Sequence, residues 1–311
     1  MRQCLMPQPI HATGIARLLA AGLEPVIGDH ALDLADPRQT VAGIFRSTRF
    51  SRSDMERFPN LRVIGVHGAG FDNIDLPAAR DLGVKVFNIP GRNAHSVAEH
   101  VLGLMFALSK QLLASDRAAR AGNMAFRFGA RLHEVRGRTL GLVGFGAIGR
   151  ATAALAAALG MKVQVFARSA TREQLSALGI ERVETLESLL RTSDVVSLHL
   201  PAVPETLHLI GAKQLSWMKP DALLINTGRA PLIDEPALIE ALQTGLIAGA
   251  GLDVYAFDEM PADYPLLHIP NVILTPHTGG STQESLTRMA ADVTQGVLDV
   301  LGGAEPRDRL A

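Results

Sequence analysis

The fold of this chain is decided by the stretch Thr139-Leu-Gly-Leu-Val-Gly144-Phe-Gly146-Ala-Ile-Gly149-Arg150. It contains the pattern G-x-G-x-x-G directly after an apolar, strand-like run and directly before an alanine-rich, helix-like run, which is the context that the pattern needs. In that setting Gly144 permits a tight turn, Gly146 lets the backbone approach a pyrophosphate, and Gly149 allows close packing of helix on strand. The motif therefore predicts a Rossmann domain that binds a dinucleotide.

The start of the following helix supplies the rest of the predicted phosphate site. The backbone amides of Ala147 and Ile148 belong to its first turn, where unpaired N–H groups and the positive end of the helix dipole attract anions. The alternative is that the glycines form an ordinary turn. The strand-like and helix-like runs on either side favour the dinucleotide interpretation.

The end of the next predicted strand indicates which dinucleotide is bound. About 20 residues after the motif, NAD-binding domains carry an acid that accepts hydrogen bonds from the ribose 2′-hydroxyl. This chain instead has Ala167-Arg168-Ser169, without an acid. Arg168 can pair with a 2′-phosphate and Ser169 can donate a hydrogen bond to it, with Arg172 as a second cation. NADP(H) is therefore predicted as the preferred cofactor, with NAD(H) as the alternative; otherwise Arg168 is a solvated loop residue.

Outside the motif, short apolar runs alternate with longer amphipathic stretches, as in βα units on a parallel sheet. Strands are predicted at residues 61–66, 140–143, 162–166, 195–200, 222–225 and 272–274. Helices are predicted at residues 147–159, 235–244 and 281–301. The alternation predicts the α/β fold class.

A long helix precedes the motif and divides the chain. Residues 93–113 show helical periodicity without interruption, with Val97, Val101, Leu104 and Leu108 at three- and four-residue spacing. We predict one domain from residues 1–95 and 282–311, and a second, nucleotide-binding domain from residues 96–281. Two crossings of the chain would leave a cleft, the usual place for a small-molecule site. The alternative is one continuous sheet.

The composition limits the function classes. Hydrophobic residues make up 47% of 311 positions, while 20% charged residues and a net charge of −1 exclude disorder and argue against nucleic-acid binding. One cysteine, Cys4, cannot form a disulfide framework or a cysteine-rich metal site, which favours a reducing compartment. No run approaches a membrane span, and Pro7 interrupts the start before a secretory apolar run forms. A cytoplasmic enzyme or binding protein without a metal is predicted.

Three segments after the motif carry reactive side chains: Asn226-Thr-Gly-Arg229, Asp253-Val-Tyr-Ala-Phe-Asp258-Glu259 and Pro276-His277. Each follows an apolar run that is typical of a strand, so each is expected at the carboxyl end of the sheet, where ligands bind. An arginine, a carboxylate and a histidine on one edge suit chemistry at the carbonyl of a 2-oxo acid. Taken singly, they could equally be a surface ion pair, a turn residue and a loop histidine.

These residues resemble those of the D-isomer-specific 2-hydroxyacid dehydrogenases, the family that holds glyoxylate/hydroxypyruvate reductases and phosphoglycerate dehydrogenase. The resemblance covers nearly the full length. Its further motifs are Phe45-Arg46-Ser47, His67-Gly-Ala-Gly70-Phe-Asp-Asn73-Ile-Asp75, Asn93 with Ser96-Val-Ala-Glu99, His199-Leu-Pro201 and Met218-Lys-Pro220. It implies a flavodoxin-like substrate domain, built from both chain ends, and a Rossmann domain inserted into it.

The resemblance implies catalytic roles for the reactive trio. Arg229 would hold the substrate carboxylate and polarise the carbonyl, and His277 would be the general acid in reduction and the general base in the reverse reaction. Where the family usually has glutamate followed by proline, this chain has Asp258 followed by Glu259. We expect Asp258, which is one methylene shorter, to be the partner of His277, with Glu259 as the fallback. If neither reaches the imidazole, its protonated form loses support. As the pH is raised, reduction should then already fail at a lower pH.

The same resemblance implies binding roles for further residues. On the substrate side the expected residues are Arg46, Ser47, Gly68, Ala69 and Gly70, the last three binding the carboxylate through backbone amides. On the cofactor side the expected residues are His199, Leu200, Pro201, Thr206, Thr227, Gly228, Asp253 and Gly279. Among these, Asp253 would fix the nicotinamide carboxamide, and the segment from His199 would line the adenine end. Independently of the resemblance, Arg46, Phe50, Phe71 and Met260 are candidates for the pocket around the substrate's side chain; the alternative for the three apolar residues is that they belong to the core.

The predicted function is an NADPH-preferring reductase of small 2-oxo acids, such as glyoxylate or hydroxypyruvate, to D-2-hydroxy acids. The alternatives are an NAD-dependent dehydrogenase of the phosphoglycerate type and a cofactor-sensing binding protein like the corepressors related to this family. Formate dehydrogenase is a third alternative. Asp258 argues against it, because formate dehydrogenases usually carry glutamine at the position of this acid. The resemblance also implies a homodimer, formed through an arm at residues 115–136.

Overall fold

The computed structural model describes residues 1–168, 170–257 and 260–311. The chain divides into two units, the first from Met1–Asn93 with Ser281–Ala311 and the second from Ala94–Gly280. Each unit is built on its own parallel sheet with flanking helices. The α/β fold class is therefore confirmed. The assignment of substrate binding to the first domain and of nucleotide binding to the second stays a prediction.

The first unit has the strand order of flavodoxin. Its strands are β1 Arg2–Met6, β2 Leu23–Ile27, β3 Thr40–Phe45, β4 Val63–Val66 and β5 Lys85–Phe87. They pair in parallel in the order β2-β1-β3-β4-β5, the flavodoxin-like arrangement. Its helices are α1 Ala12–Ala20, α2 Ala31–Leu34, α3 Arg52–Glu56, α4 Leu76–Asp81 and, from the far end of the chain, α13 Gln283–Leu301.

Both faces of this sheet are covered, which explains why the interior strand β4 is apolar and buried at every position. Successive side chains of a strand point to opposite faces. Leu5 and Phe45 belong to the core on one face, and Cys4 and Met6 belong to the core on the other, together with Val293 of α13. The returning helix α13 is therefore an integral part of the first unit.

The second unit has the strand order of a Rossmann domain. Its strands are β6 Thr139–Val143, β7 Lys162–Phe166, β8 Glu181–Arg182, β9 Val195–Leu198, β10 Leu223–Asn226, β11 Gly249–Leu252 and β12 Val272–Leu274. They pair in parallel in the order β8-β7-β6-β9-β10-β11-β12. The order reverses between β6 and β9, and Rossmann domains bind dinucleotides beyond the carboxyl ends of the strands at this switch point.

The helices of the second unit flank this sheet. They are α5 Ala94–Ser109, α6 Leu112–Arg120, α7 Phe126–Gly129, α8 Ala147–Ala158, α9 Arg172–Ser176, α10 Leu186–Thr192, α11 Ala212–Leu215 and α12 Glu235–Gln243. Short 3₁₀ turns lie at Pro204–Thr206, Ala230–Leu232 and Pro265–His268. Every helix and strand predicted after residue 113 is present, with ends that differ from the prediction by at most two residues.

The prediction of one uninterrupted helix over residues 93–113 was wrong. α5 ends at Ser109, Gln111 has a left-handed φ of 46°, and α6 continues at an angle of 54°. The reason is packing, because α5 buries apolar side chains against α8 and the sheet whereas α6 has no buried residue. Within the described ranges, no single helix is long and apolar enough to cross a membrane, and α5 and α6 meet that requirement only as a bent pair.

Candidate active site

The glycine motif forms the turn from β6 into α8, at the switch point of the sheet. Gly144 has a φ of +101°, and its amide donates to the carbonyl of Phe166 over 2.9 Å. A Cβ on Gly144 would lie 2.5 Å from the backbone oxygen of His199, so a larger residue does not fit between β6 and β9. Gly146, by contrast, is exposed and has open space around it. The turn therefore leaves room for a ligand group beside the start of α8.

The residues at this edge fit a dinucleotide. The first turn of α8, with Ala147 and Ile148, contains no acidic residue and no side-chain cap, so its amides suit an anionic group. Among the described residues, Thr227 Oγ1 and His199 Nε2 are buried polar atoms without a hydrogen-bond partner. Such atoms are rare in folded proteins and indicate a bound group or water. Burial lowers the pKa of His199 to about 4, so its imidazole is neutral near pH 7.

The loop after β9 is shaped by Thr206. The hydroxyl of Thr206 donates to the carbonyl of Pro201 over 2.7 Å and accepts a hydrogen bond from the amide of Val203 over 2.9 Å. These bonds close the loop that begins at His199 and Leu200. Thr206 is buried, so its side chain serves the shape of this loop.

The end of β7 presents a cation to solvent. Arg168 is exposed two residues after the strand ends, whereas Ser169 lies outside the described residues. Arg172, the first residue of α9, forms an exposed ion pair with Glu184 over 2.7 Å. Of the two arginines considered for a 2′-phosphate, Arg172 is thus already engaged by a carboxylate.

Arg229 follows β10 in a turn that Asn226 closes. The Asn226 side chain donates to the carbonyl of Arg229 over 2.9 Å and accepts from the amide of Gly228 over 3.0 Å. The half-buried guanidinium of Arg229 donates to the carbonyl of Gly228 over 2.9 Å. The position of Arg229 is therefore set by the backbone of a closed turn.

The segment 275–279, which we call the histidine loop, carries His277 and is held by Asp253. The buried Asp253 carboxylate accepts hydrogen bonds from the Thr275 hydroxyl over 2.6 Å, the Thr278 amide over 2.8 Å and the Gly279 amide over 2.9 Å. Burial by itself raises the pKa of Asp253, but hydrogen bonds from His100, Thr275 and the two amides lower it below its ordinary value. Asp253 is therefore an ionised clamp on this loop.

His277 is exposed and takes a left-handed φ of 53°. Its amide donates to the carbonyl of Thr275 over 2.9 Å. The expected carboxylate partners, Asp258 and Glu259, lie outside the described residues, and their pairing with His277 stays a prediction. Met260 is half-buried against the core beneath β10 and β11.

In the first unit, the turn after β4 contains Gly68, Ala69 and Gly70. The Gly68 amide donates to the carbonyl of Val66 over 2.9 Å, and the Ala69 carbonyl accepts from the side chain of Asn88 over 2.7 Å. These two bonds fix the shape of the turn, and the binding of a carboxylate by its backbone amides stays a prediction.

Two residues near the end of β3 were considered for the substrate side. Arg46 is half-buried and donates to the carbonyl of Pro9 over 3.2 Å, and the exposed Ser47 accepts from the side chain of Gln8 over 3.3 Å. Of the two interpretations of Phe50, pocket or core, the structure supports the core, because Phe50 is fully buried and packs on Phe45 with ring centroids 4.4 Å apart. Phe71 remains partly exposed, at 36%.

Comparison with known proteins identifies the family. The profile of the family described as D-isomer specific 2-hydroxyacid dehydrogenase, NAD binding domain, matches residues 102–279. The chain belongs to this family. It is an NAD(P)-dependent D-2-hydroxyacid dehydrogenase, as we expected from the motifs.

Relatives of the dehydrogenase include reductases and dehydrogenases of 2-hydroxy acids. The glyoxylate reductase of Korarchaeum cryptofilum is 39% identical over 254 residues, which are 81% of this chain and 76% of that protein. The D-3-phosphoglycerate dehydrogenase of Methanocaldococcus jannaschii is 35% identical over 97% of this chain but 58% of that longer protein. A solved structure of NADPH-dependent glyoxylate/hydroxypyruvate reductase from Sinorhizobium meliloti, with NADP and malonate, has 30% identity and a TM-score of 0.86, covering 100% of this chain and 97% of that one.

In the second unit of the dehydrogenase, the strand order brings predicted site residues to one edge of the sheet. Because β6 and β9 to β12 are parallel, their carboxyl ends share that edge. The residues at these ends are Gly144, His199, Thr227, Arg229, Asp253 and His277. Their substrate and cofactor roles stay predictions, which are taken up below.

Sequence reasoning assigned no role to two histidines of the dehydrogenase. His100 on α5 contacts Thr275 through Nε2 over 2.9 Å, and His67 is buried immediately before Gly68. One signal was available for His100, because it lies four residues after Ser96 and so on the same face of α5. His67 stands first in the motif from His67 to Asp75, but that motif gave no sign that its ring is buried.

Proposed function

We propose that the dehydrogenase is an NADPH-preferring reductase of small 2-oxo acids, of the glyoxylate and hydroxypyruvate type, which forms D-2-hydroxy acids. The observation that carries the cofactor preference is the end of β7, where the exposed Arg168 stands and no acid is present. A carboxylate would repel a 2′-phosphate, and a guanidinium pairs with it. The relative from Sinorhizobium meliloti, which is described as NADPH-dependent, supports the same assignment.

The cofactor would be held by groups from several strand ends. The amides of Ala147 and Ile148 would bind the pyrophosphate, and Arg168 would bind the 2′-phosphate. Thr227 would contact the cofactor through its buried hydroxyl. Asp253 Oδ2 accepts the Gly279 amide and retains a lone pair for the carboxamide. When bound, the reduced nicotinamide supplies the hydride for the carbonyl carbon.

The protein's own contribution is charge and a proton. Arg229, fixed in its closed turn, would hold the substrate carboxylate and stabilise the negative charge that develops on the carbonyl oxygen. His277 would donate a proton to that oxygen, and Asp258 would favour the protonated imidazole. The amides of Ala69 and Gly70 would bind the carboxylate as well.

The test is a panel of 2-oxo acids assayed at 340 nm with NADPH and with NADH. We expect kcat/KM for glyoxylate or hydroxypyruvate to be higher with NADPH by on the order of tenfold or more. His277→Gln should lower kcat by about 10²–10⁴-fold with a small change in KM. Arg229→Ala should raise KM and lower kcat together, since Arg229 would contact both the carboxylate and the carbonyl oxygen of the substrate. Unchanged turnover in His277→Gln would refute the proton-donor role.

A dehydrogenase of the phosphoglycerate type is the second candidate. It is favoured by the alignment of 97% of this chain with the Methanocaldococcus enzyme, although the chain spans 58% of that protein. Oxidation of 3-phosphoglycerate with NAD, measured beside the panel above, separates the two. Faster turnover in that assay than with any unphosphorylated 2-oxo acid would replace the lead proposal.

We further propose that the dehydrogenase is a homodimer. The support is a series of large apolar side chains around α6 and α7 that are 49–81% exposed: Leu112, Leu113, Met124, Phe128 and Leu132. Exposed apolar side chains that cluster on one segment mark association surfaces. Light scattering after size exclusion should give twice the chain mass, and Phe128→Ser should shift the equilibrium toward the monomer.

A further inference from the structure

We propose that His100, on α5, is a positioning residue that sets the placement of His277, an inference that rests on the proton-donor role proposed above. In the structure the His100 ring contacts Thr275 and Asp253, so an effect on His277 passes through these two residues. His100 acts through the Thr275 hydroxyl and the Asp253 carboxylate, which define the backbone of the histidine loop.

A directed relay of hydrogen bonds connects the helix to the loop. His100 Nε2 lies 2.9 Å from Thr275 Oγ1, and Thr275 Oγ1 lies 2.6 Å from Asp253 Oδ1. The carboxylate is only an acceptor, so the single hydroxyl proton of Thr275 points to it. His100 Nε2 must therefore carry a proton and donate it to Thr275. The same nitrogen lies 3.5 Å from Asp253 Oδ1, which adds an attraction along the relay.

A second residue of α5 holds the other end of the histidine loop. The Ser96 hydroxyl donates to the carbonyl of Gly279 over 2.7 Å. Ser96 and His100 are four residues apart and so lie on one face of the helix. His277 thus lies between two attachment points on a single helix, at Thr275 and at Gly279.

The helix is a suitable support because it is itself fixed. α5 packs against α8 and against β10, β11 and β12, and it buries Val101, Leu104 and Met105. Side chains on such packed elements hold their partners more precisely than loop residues do. The placement of His277 is therefore tied to the core of the second unit.

The loop needs this support because its backbone is unfavourable at His277. The left-handed φ of 53° is unfavourable for a residue with a Cβ, because the Cβ then lies too close to the following carbonyl oxygen. A loop in such a conformation relaxes when its restraints are removed, and a proton donor displaced by about 1 Å can lose on the order of 10²-fold in rate. A substitution of His100 removes its contacts with Thr275 and Asp253, while Asp253 keeps its hydrogen bonds from Thr275, Thr278 and Gly279.

The experiment compares His100→Leu, which removes the donor, with His100→Gln, which retains an N–H donor. With glyoxylate and NADPH, we expect His100→Leu to lower kcat by on the order of tenfold, with KM for glyoxylate within about twofold. His100→Gln should recover most of the loss, and Thr275→Val should reproduce it because it breaks the same relay. His95 is exposed on the same helix, so His95→Leu is the matched control and should behave as wild type.

A double-mutant cycle separates this proposal from the proposed function. If His100 acts only through His277, His100→Leu causes no further loss of kcat in the His277→Gln background. Equal losses in both backgrounds overturn the positioning role, as do equal rates for the leucine and glutamine variants. Wild-type turnover in His277→Gln overturns the proton-donor role instead. Thermal unfolding checks that the variants fold; should His100→Leu fail to fold, the contrast between Thr275→Val and His100→Gln decides.

Discussion

His67 makes the first unit sensitive to acid. Its side chain is 5% exposed, and both ring nitrogens are buried without a hydrogen-bond partner among the residues described. Burial, followed by the nearby positive charge of Arg46, lowers the pKa of His67 from 6.5 to about 4. In the unfolded chain the ring takes up a proton near pH 6.5, whereas in the folded chain it stays neutral until about pH 4. Its contribution to stability is therefore complete above pH 6.5 and is lost as the pH falls toward 4.

The size of the effect follows from the two pKa values. At about 1.4 kcal/mol per pKa unit, the folded state should lose about 2 kcal/mol between pH 7.5 and pH 5.0 through this one ring. His67→Gln removes this titration. The free energy of unfolding of the variant minus that of wild type should therefore increase by about 2 kcal/mol when the pH is lowered from 7.5 to 5.0. Urea unfolding followed by far-UV circular dichroism measures both values.

Two controls make the result specific. The only tryptophan, Trp217, belongs to the second unit, so its fluorescence follows that unit and separates its transition from the transition of the first. His30 is exposed in the first unit, and His30→Gln is the matched substitution at the surface. If His67→Gln is destabilised equally at both pH values, the ring is not held neutral by burial and the reasoning fails.

Three further predictions concern the cofactor site and the acid. Gly144→Ala should lower stability by about 1–3 kcal/mol because its φ and the nearby backbone exclude a Cβ, whereas Gly146→Ala should leave the melting temperature unchanged and weaken NADPH binding, as followed by fluorescence titration. Arg168→Glu should lower the ratio of kcat/KM for NADPH over NADH by about 10–100-fold, and an unchanged ratio would remove Arg168 from the 2′-phosphate site. Asp258→Asn should lower kcat by about tenfold or more and shift the pH profile, with Glu259→Gln near wild type; the reverse pattern assigns the partner role to Glu259.

Local features of the sequence predicted the second unit well. The glycine motif predicts the turn from β6 into α8 because its residues act within a few positions of one another, and the apolar runs predict the strands because parallel strands are buried on both faces. The break between α5 and α6 could not be predicted in this way. The apolar spacing continues through Leu108 and Leu112, and only the packed structure shows that the core ends before Leu112.

Distant contacts were harder to predict than local ones. Phe50 is an apolar residue near polar ones in the sequence, a pattern that a pocket residue and a core residue share, and its contact with Phe45 decides for the core. The bond from His100 to Thr275 joins residues that are 175 positions apart, so helical periodicity shows which face of α5 His100 occupies but not its partner. The acid at position 258 or 259 likewise depends on three-dimensional placement.

The hydrogen bond from Ser96 to Gly279 has a consequence for how the chain folds. The first unit consists of two pieces, and the whole of the second unit is inserted between them in the sequence. Joining the pieces across an unfolded insertion of that length costs about 4–5 kcal/mol of loop-closure entropy. Once the second unit has folded, its two ends are tied together near Ser96 and Gly279, and most of that cost has already been met. We therefore expect refolding to be sequential, with the tryptophan signal of the inserted unit recovering before the flanking pieces assemble.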